Sequence, residues 1–306
     1  MGRTAAIKPV VIGVLLMLLM VGFGLRLFSL EGQSMWSDEG LSYYRSGLSL
    51  GDILRNIIVV DGVVTRDTNP TLYFLLLHYW RILAGDTVFA MRFLSAAAGM
   101  VSIPLTYALS RRTFGQWAGI VAALLMAISP FHVWQSQIVR NYGLLLTVNL
   151  FAVYALFAFL FPKNGRTQWK WFLLWLAASL AGIYTHYFGF FILAFGLFCL
   201  GVTFLFRQRH SRLFRPNKWW LVAGAAILLL IPVVSVAFER FSAGQQIDFH
   251  YVPLPDYVHQ AVSAFAVGMN WNLVHVWWRW GPVTALALLG VWLGWRRSRQ
   301  ATLFLV

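Results

Sequence analysis

Pro70-Thr-Leu-Tyr-Phe-Leu-Leu-Leu-His-Tyr-Trp-Arg-Ile-Leu-Ala84 is the stretch on which the topology of this chain turns. Asn69 before Pro70 is a capping residue ahead of a first-turn proline, so a helix starts there. The stretch is apolar but short, and His78 and Arg81 interrupt it. Whether it crosses a membrane decides on which side each later loop lies.

That a membrane is involved follows from composition. Of 306 residues, 59% are apolar and only 11% charged, more apolar surface than a soluble domain of this size can hide. Repeated runs near twenty apolar residues match the roughly 20 residues needed to cross the hydrocarbon core as helix. A net charge of +14 invites a nucleic-acid reading. The basic residues instead sit in short clusters between apolar runs, as in cytoplasmic loops of a polytopic protein. The single cysteine, Cys199, lies inside an apolar run, which excludes a disulfide framework and points to a packed thiol.

The N-terminus carries Arg3 and Lys8, then an apolar run from Pro9 to Leu25 without a small-x-small cleavage site. It reads as an uncleaved signal anchor with its N-terminus inside. Span one is then about Val10–Leu30, followed by a polar segment, Glu31–Arg92, that holds seven of the ten acidic residues. With Pro70–Ala84 not crossing, the later spans are Met91–Ser110, Trp117–Trp134 and Tyr142–Phe161. Spans five and six divide an apolar stretch at Thr185-His186-Tyr187, span seven is Trp219–Phe238, and span eight is about Val276–Trp295. All ten Asp and Glu then fall outside, and fifteen of the 24 Lys and Arg fall inside. Making Pro70–Ala84 a crossing puts every later basic cluster on the wrong face.

The expected architecture is therefore an all-α polytopic membrane protein of about eight transmembrane helices, with Ala301–Val306 starting a ninth that the chain cuts off. Pro70–Ala84 lies along the outer interface as an amphipathic helix, and Tyr257–Asn270 is a second candidate of that kind. The chain reads as one membrane-embedded domain over residues 1–306, C-terminally truncated, with 31–92 as its first extracytoplasmic loop.

Ionisable groups at a membrane interface are functional candidates. In Ser34-Met-Trp-Ser-Asp-Glu-Gly-Leu41, Asp38 and Glu39 are adjacent carboxylates behind Trp36 and before Tyr43 and Tyr44. Adjacent helical residues point about 100° apart, so the two have different tasks. One can be a general base while the other binds a metal, pairs with an arginine or holds the loop. A solvated acidic loop, or a cap on a helix running to Tyr44, fits equally. Asp67-Thr-Asn-Pro70 reads first as a turn and cap. In Ser129-Pro-Phe-His-Val-Trp-Gln-Ser-Gln-Ile-Val-Arg-Asn-Tyr142, Pro130 breaks the helix near the outer boundary, and Arg140 either clamps a phosphate with its planar fork or snorkels to headgroups. His186, between Tyr184 and Tyr187, is either a packing histidine or a ligand. Arg279 among Trp277, Trp278 and Trp280 reads as an aromatic-belt anchor.

Taken in order, these stretches resemble the bacterial membrane glycosyltransferases of the GT-C fold, near the protein O-mannosyltransferase and aminoarabinose-transferase group. The residues that carry the resemblance are Met35-Trp-Ser-Asp-Glu39, Asn69-Pro-Thr-Leu-Tyr-Phe-Leu-Leu-Leu-His-Tyr-Trp80, Gly85-Asp-Thr-Val-Phe-Ala-Met-Arg-Phe-Leu-Ser95, Pro104 with Arg111-Arg-Thr-Phe-Gly115, Ser129-Pro with Arg140-Asn-Tyr142, and Tyr184-Thr-His-Tyr187. Asn69-Pro70-Thr71 departs from the family's His-Pro-Pro or Asn-Pro-Pro. Gln137-Ile-Val-Arg140 stands where the family commonly has Gln-Glu-Ala-Arg, so one acidic position is missing.

The resemblance implies inverting transfer of a sugar from a polyprenyl-phosphate donor to an extracytoplasmic protein, lipid or polysaccharide, at the outer face of the cell membrane and without nucleic acid. Asp38 matches the family's catalytic aspartate and would take the acceptor's proton. Glu39, Tyr43 and Asn69 would support it or bind acceptor. Arg140, then His186 and Arg92, would meet the donor phosphate. Trp36, Tyr43 and Tyr73 are candidates to stack on sugar faces, and a divalent metal is possible without an assigned ligand set. A transporter or flippase of a lipid-linked or small polar substrate shares the spans, but no later span carries an acidic residue and no inverted repeat is visible. A non-catalytic membrane scaffold is the third class.

Overall fold

A computed structural model of the chain describes residues 9–60, 62–67, 69–162, 168–207, 252–268 and 277–297, with isolated positions at 230–231, 234–235, 238 and 302. The expected seventh span and the loop carrying Arg209, Arg212, Arg215 and Lys218 lie almost wholly outside the described residues, as does the start of a ninth span apart from Thr302. The chain divides into two compact units.

The first unit comprises Met1–Gly40, Ala84–Gly143 and Tyr251–Val306. Its helices are α1 (Pro9–Leu27), the start of α2 (Ser37–Ser46), α5 (Val88–Phe114), α6 (Gln116–Ile128), α7 (Pro130–Ser136), α11 (Leu254–Val267) and α12 (Trp277–Arg297). Val11 and Leu18 of α1, Ile103 and Tyr107 of α5, and Ala123 and Ala127 of α6 form a buried core, with Val14, Leu15, Met100 and Ile120 packed against it. The spacing of three, four and seven residues keeps each set on one helix face. Lipid is as apolar as a leucine side chain, so close packing holds such helices together, and small residues at the seam permit it. At Gly119 an added Cβ would stand 2.9 Å from the Tyr107 ring and 3.0 Å from its carbonyl.

The second unit comprises Leu41–Leu83 and Leu144–His250. It holds the end of α2, α3 (Leu50–Arg55), α4 (Leu72–Ala84), α8 (Tyr142–Leu160), α9 (Trp169–Thr185) and α10 (Gly189–Arg207). Helices α9 and α10 pack through Gly182, Gly189 and Gly196, the last lying against the Trp175 indole. The break between them falls at His186–Phe188.

The protein is mostly helical, as expected. Two features differ from the expectation: β1 (Ile57–Val60) and β2 (Val63–Arg66) form an antiparallel hairpin in register Ile57↔Arg66 to Val60↔Val63. Two β-branched runs around Asp61-Gly62 are the sequence cause, with Gly62 at φ 78°. The span expected at Trp117–Trp134 is two helices, α6 and α7, bent by 58° at Ser129. Pro130 has no N–H for the carbonyl four residues back, and Ser129 caps the new start by accepting from the His132 N–H. Among the described residues, three helices are long and apolar enough to cross a membrane (α1, α5 and α8), or four if α6 and α7 make one span. The 70–84 stretch is helical as α4 from Leu72, and residues 257–267 of the second candidate belong to α11, with Gly268 as its C-cap.

Candidate active site

Helix α2 opens with Trp36 at its cap position, which makes Glu39 the third helical residue. The Glu39 carboxylate reaches back to accept the Trp36 N–H at 3.4 Å, the acidic half of a capping box. Glu39 is completely buried, whereas the Asp38 side chain is 43% exposed. The helical offset of adjacent residues turns one carboxylate inward and the other outward.

Glu39 is held by a fork. Arg92 of α5 donates from Nε to Oε1 at 2.9 Å and from Nη2 to Oε2 at 2.7 Å. The Val139 N–H donates to Oε1 at 2.8 Å. The rest of Arg92 gathers the loop after α1, donating to the carbonyls of Leu30, Gln33 and Ser34 at 2.8, 3.0 and 3.3 Å. Every oxygen and nitrogen of this pair is engaged within the fold, which is the condition under which a buried ion pair can be held. Two expectations change here. Glu39 has no surface with which to bind an acceptor, and Arg92 is committed to Glu39 and to backbone rather than standing ready for a phosphate.

Asp38 has the looser partner. Arg140 Nη2 stands 3.6 Å from Asp38 Oδ2, and Nη1 donates to the Asp38 carbonyl at 3.4 Å. The Arg140 guanidinium is nearly buried, 5.8 Å from the Tyr142 ring, and its backbone carbonyl accepts from Ser95 Oγ at 3.1 Å. Asp38, Glu39, Arg92 and Arg140 are thus assembled within one unit, a half-exposed carboxylate beside a cation on a buried, charge-neutral footing. Trp36, 47% exposed, keeps an open apolar face.

The other expected residues belong to the second unit. Arg45, which sequence reasoning passed over, is fully buried there. It donates to Asp67 Oδ2 at 2.6 Å and to the Asn69 carbonyl at 2.9 Å, also reaches Asn56 Oδ1, and lies 3.8 Å over the Phe74 ring. Asn69 donates twice to Asp67 Oδ1, from its backbone at 3.0 Å and from its amide at 3.3 Å. Asn69 is therefore a member of this buried knot, not an acceptor ligand, and Tyr73 is buried edge-on against Phe74, not open to a sugar. Tyr43 Oη accepts from Arg81 Nη2 at 2.8 Å, and the guanidinium carbon sits 4.2 Å over its ring. His78 Nδ1 lies 2.8 Å from the Ser46 carbonyl, so that nitrogen carries the proton. His186 closes the turn between α9 and α10, its Nδ1 accepting from the Phe188 N–H at 3.1 Å. Among the described residues no three His, Cys, Asp or Glu gather as a metal-ligand set. The one available signal for Arg45 was Asp67 itself, an acid in a turn otherwise made of capping residues.

Residues 68–236, more than half of the chain, match the family described as dolichyl-phosphate-mannose-protein mannosyltransferase. The chain belongs to that family. The matched stretch includes Arg92, Arg140 and His186; Asp38 and Glu39 precede it, bound to it through the contacts above. Comparison with curated proteins finds no match. Among solved structures the chain is similar to ArnT from Cupriavidus metallidurans bound to undecaprenyl phosphate, at 15% identity and a TM-score of 0.59, over 96% of this chain and 52% of that one. It is also similar to the Saccharomyces cerevisiae protein O-mannosyltransferase Pmt1–Pmt2 complex bound to the sugar donor, at 20% identity and 0.57, over 80% of this chain and 34% of that one. The archaeal oligosaccharyltransferase AglB from Archaeoglobus fulgidus, in complex with an inhibitory peptide and a dolichol-phosphate, follows at 12% identity and 0.54, over 97% and 38%. At these identities the likeness carries the fold, which is GT-C. The family and the apolar helices α1, α5 and α8 mark a multi-pass membrane protein. The chain spans between about a third and a half of the length of these proteins.

Proposed function

We propose that this mannosyltransferase-family protein transfers a sugar from a polyprenyl-phosphate donor to an acceptor outside the cytoplasm, with inversion at the anomeric carbon. The observation that carries the reading is the division of labour in Asp38-Glu39: one carboxylate buried and fully bonded, its neighbour half-exposed beside Arg140. On this reading the N-terminus is cytoplasmic, residues 31–92 form the first extracytoplasmic loop against the cell membrane, α4 lies along its outer interface, and residues 1–306 act as one membrane-embedded domain.

The chemistry assigns each group a step. Asp38 accepts the proton of the acceptor hydroxyl or amine as that atom attacks the anomeric carbon. The bond from that carbon to the phosphate oxygen breaks on the opposite side through an oxocarbenium-like state, and its electron pair leaves with the lipid phosphate. The phosphate gains charge as it departs, so a cation already in place lowers the barrier. Arg140, with Nη2 3.6 Å from Asp38 Oδ2, supplies it. Trp36, 47% exposed, offers an apolar face on which a sugar can stack. Purified protein given radiolabelled polyprenyl-phosphate sugar and a mixture of membrane and protein acceptors is expected to release polyprenyl phosphate and label an acceptor. Donor that stays intact while the protein remains folded would contradict the reading.

A further inference from the structure

A second buried polar network lies in the same unit and takes no part in the chemistry above. It centres on Arg26, completely buried in the last turn of the apolar helix α1. A charge at such a place needs a strong reason.

Its partners supply one. Because Pro130 has no N–H, the Met126 carbonyl loses its helical donor, and the bend at Ser129 carries the next donor away from Ala127. Arg26 replaces both: Nη2 donates to Met126 O at 3.0 Å and Nη1 to Ala127 O at 3.0 Å. A cation at the carboxyl end of α6 also suits the helix dipole. Nη1 further donates to Gly22 O at 2.8 Å, and Nη2 lies 2.6 Å from His132 Nδ1. Arginine cannot accept, so Nδ1 is the bare nitrogen and Nε2–H donates to Ser102 Oγ at 3.1 Å. Ser102 Oγ–H in turn donates to Gly99 O at 2.6 Å on α5.

The reverse exchange completes the arrangement. Helix α1 ends with Ser29 in the left-handed region, leaving its last carbonyls without helical donors. Gln137, the residue after α7, points its amide at them, with Nε2 3.2 Å from Leu25 O, 3.3 Å from Arg26 O and 2.9 Å from Phe28 O. Each broken helix end is thus capped by a side chain of the other segment. Two residues beyond Gln137, the Val139 N–H reaches Glu39; three beyond, Arg140 faces Asp38.

We propose that Arg26 and Gln137 are positioning residues for Arg140, their reciprocal capping holding segment 137–140 where its guanidinium lies beside Asp38. The inference rests on the transfer reading for its consequence in catalysis, but not for its structural content. Gln137→Ala is the cleaner variant, because Gln137 is not part of the buried cluster around Arg26. Hydrogen exchange at the Val139 amide is expected to rise about tenfold or more, with exchange in α5 and the melting temperature unchanged. The kcat is expected to fall about tenfold with little change in acceptor KM, as a misplaced group costs in orientation. Arg26→Lys, which keeps the charge and three donors, should retain more activity than Arg26→Met.

Unchanged exchange at Val139 in Gln137→Ala, in a wild-type protein that transfers sugar, would overturn the positioning role and leave the transfer reading standing. Faster exchange with unchanged kcat would overturn it as well. Faster exchange in a protein whose wild type transfers nothing would uphold the clamp and overturn the transfer reading instead.

Discussion

Asp38–Arg140 and Arg45–Asp67 are both arginine–carboxylate pairs, yet they are built in opposite ways. In Arg45–Asp67 the charges are 2.6 Å apart and both side chains are buried, with Asn56, Asn69 and the Phe74 ring completing the shell. In Asp38–Arg140 the closest approach is 3.6 Å, and the carboxylate is 43% exposed. A closed pair gives up solvation and returns it through fixed geometry, so it serves architecture. An open one keeps a lone pair available to an incoming proton donor. Glu39–Arg92 belongs with the closed kind, although Glu39 is the sequence neighbour of Asp38.

Breaking the closed pairs should cost stability first. Arg45→Met leaves Asp67 buried without its countercharge and is expected to destabilise the second unit by about 3–5 kcal/mol, read as thermal unfolding in detergent. An unfolding midpoint like that of the wild type would place Arg45–Asp67 among the pairs that contribute little. Glu39→Gln keeps the shape but exchanges charge-assisted bonds for neutral ones. It should lose about 2 kcal/mol of stability by the same measurement, with transfer falling alongside it because Val139 and Arg92 lose their anchor. Changing the open pair should move activity without stability. Arg140→Lys replaces a planar fork by a point charge and is expected to lower kcat/KM about tenfold, near 1.4 kcal/mol, at an unchanged melting temperature. A stability loss larger than the activity loss in that variant would show that Arg140 is structural.

Much of the fold was legible in the sequence. Helices α1, α5 and α8 announce themselves because membrane crossing demands a length and an apolar content that few other structures share. Ser129-Pro130 announced the break, whereas Asn69-Pro70 pointed two residues too early, since α4 begins at Leu72. The hairpin at Ile57–Arg66 was passed over because its valine runs sit inside a segment judged by charge, although Asp61-Gly62 between β-branched runs signals a hairpin. The site was half legible. Its acidic pair and Arg140 stood out, but which carboxylate faces outward depends on where helix α2 begins. That Arg92 belongs to Glu39, 53 residues away, depends on packing. Arg26 and Gln137 carried no sequence signal of exchange, since carbonyls freed at helix ends are visible only once both ends are placed.

The central claim is that the exposed member of the acidic pair is the base and the buried one is its footing. The most direct test is sugar transfer by Asp38→Asn, with membrane insertion and thermal stability measured on the same preparation. The account predicts normal insertion, a melting temperature like that of the wild type and transfer reduced by about 10²–10⁴-fold, the usual contribution of a general base. Turnover like that of the wild type in a normally inserted Asp38→Asn protein would contradict it.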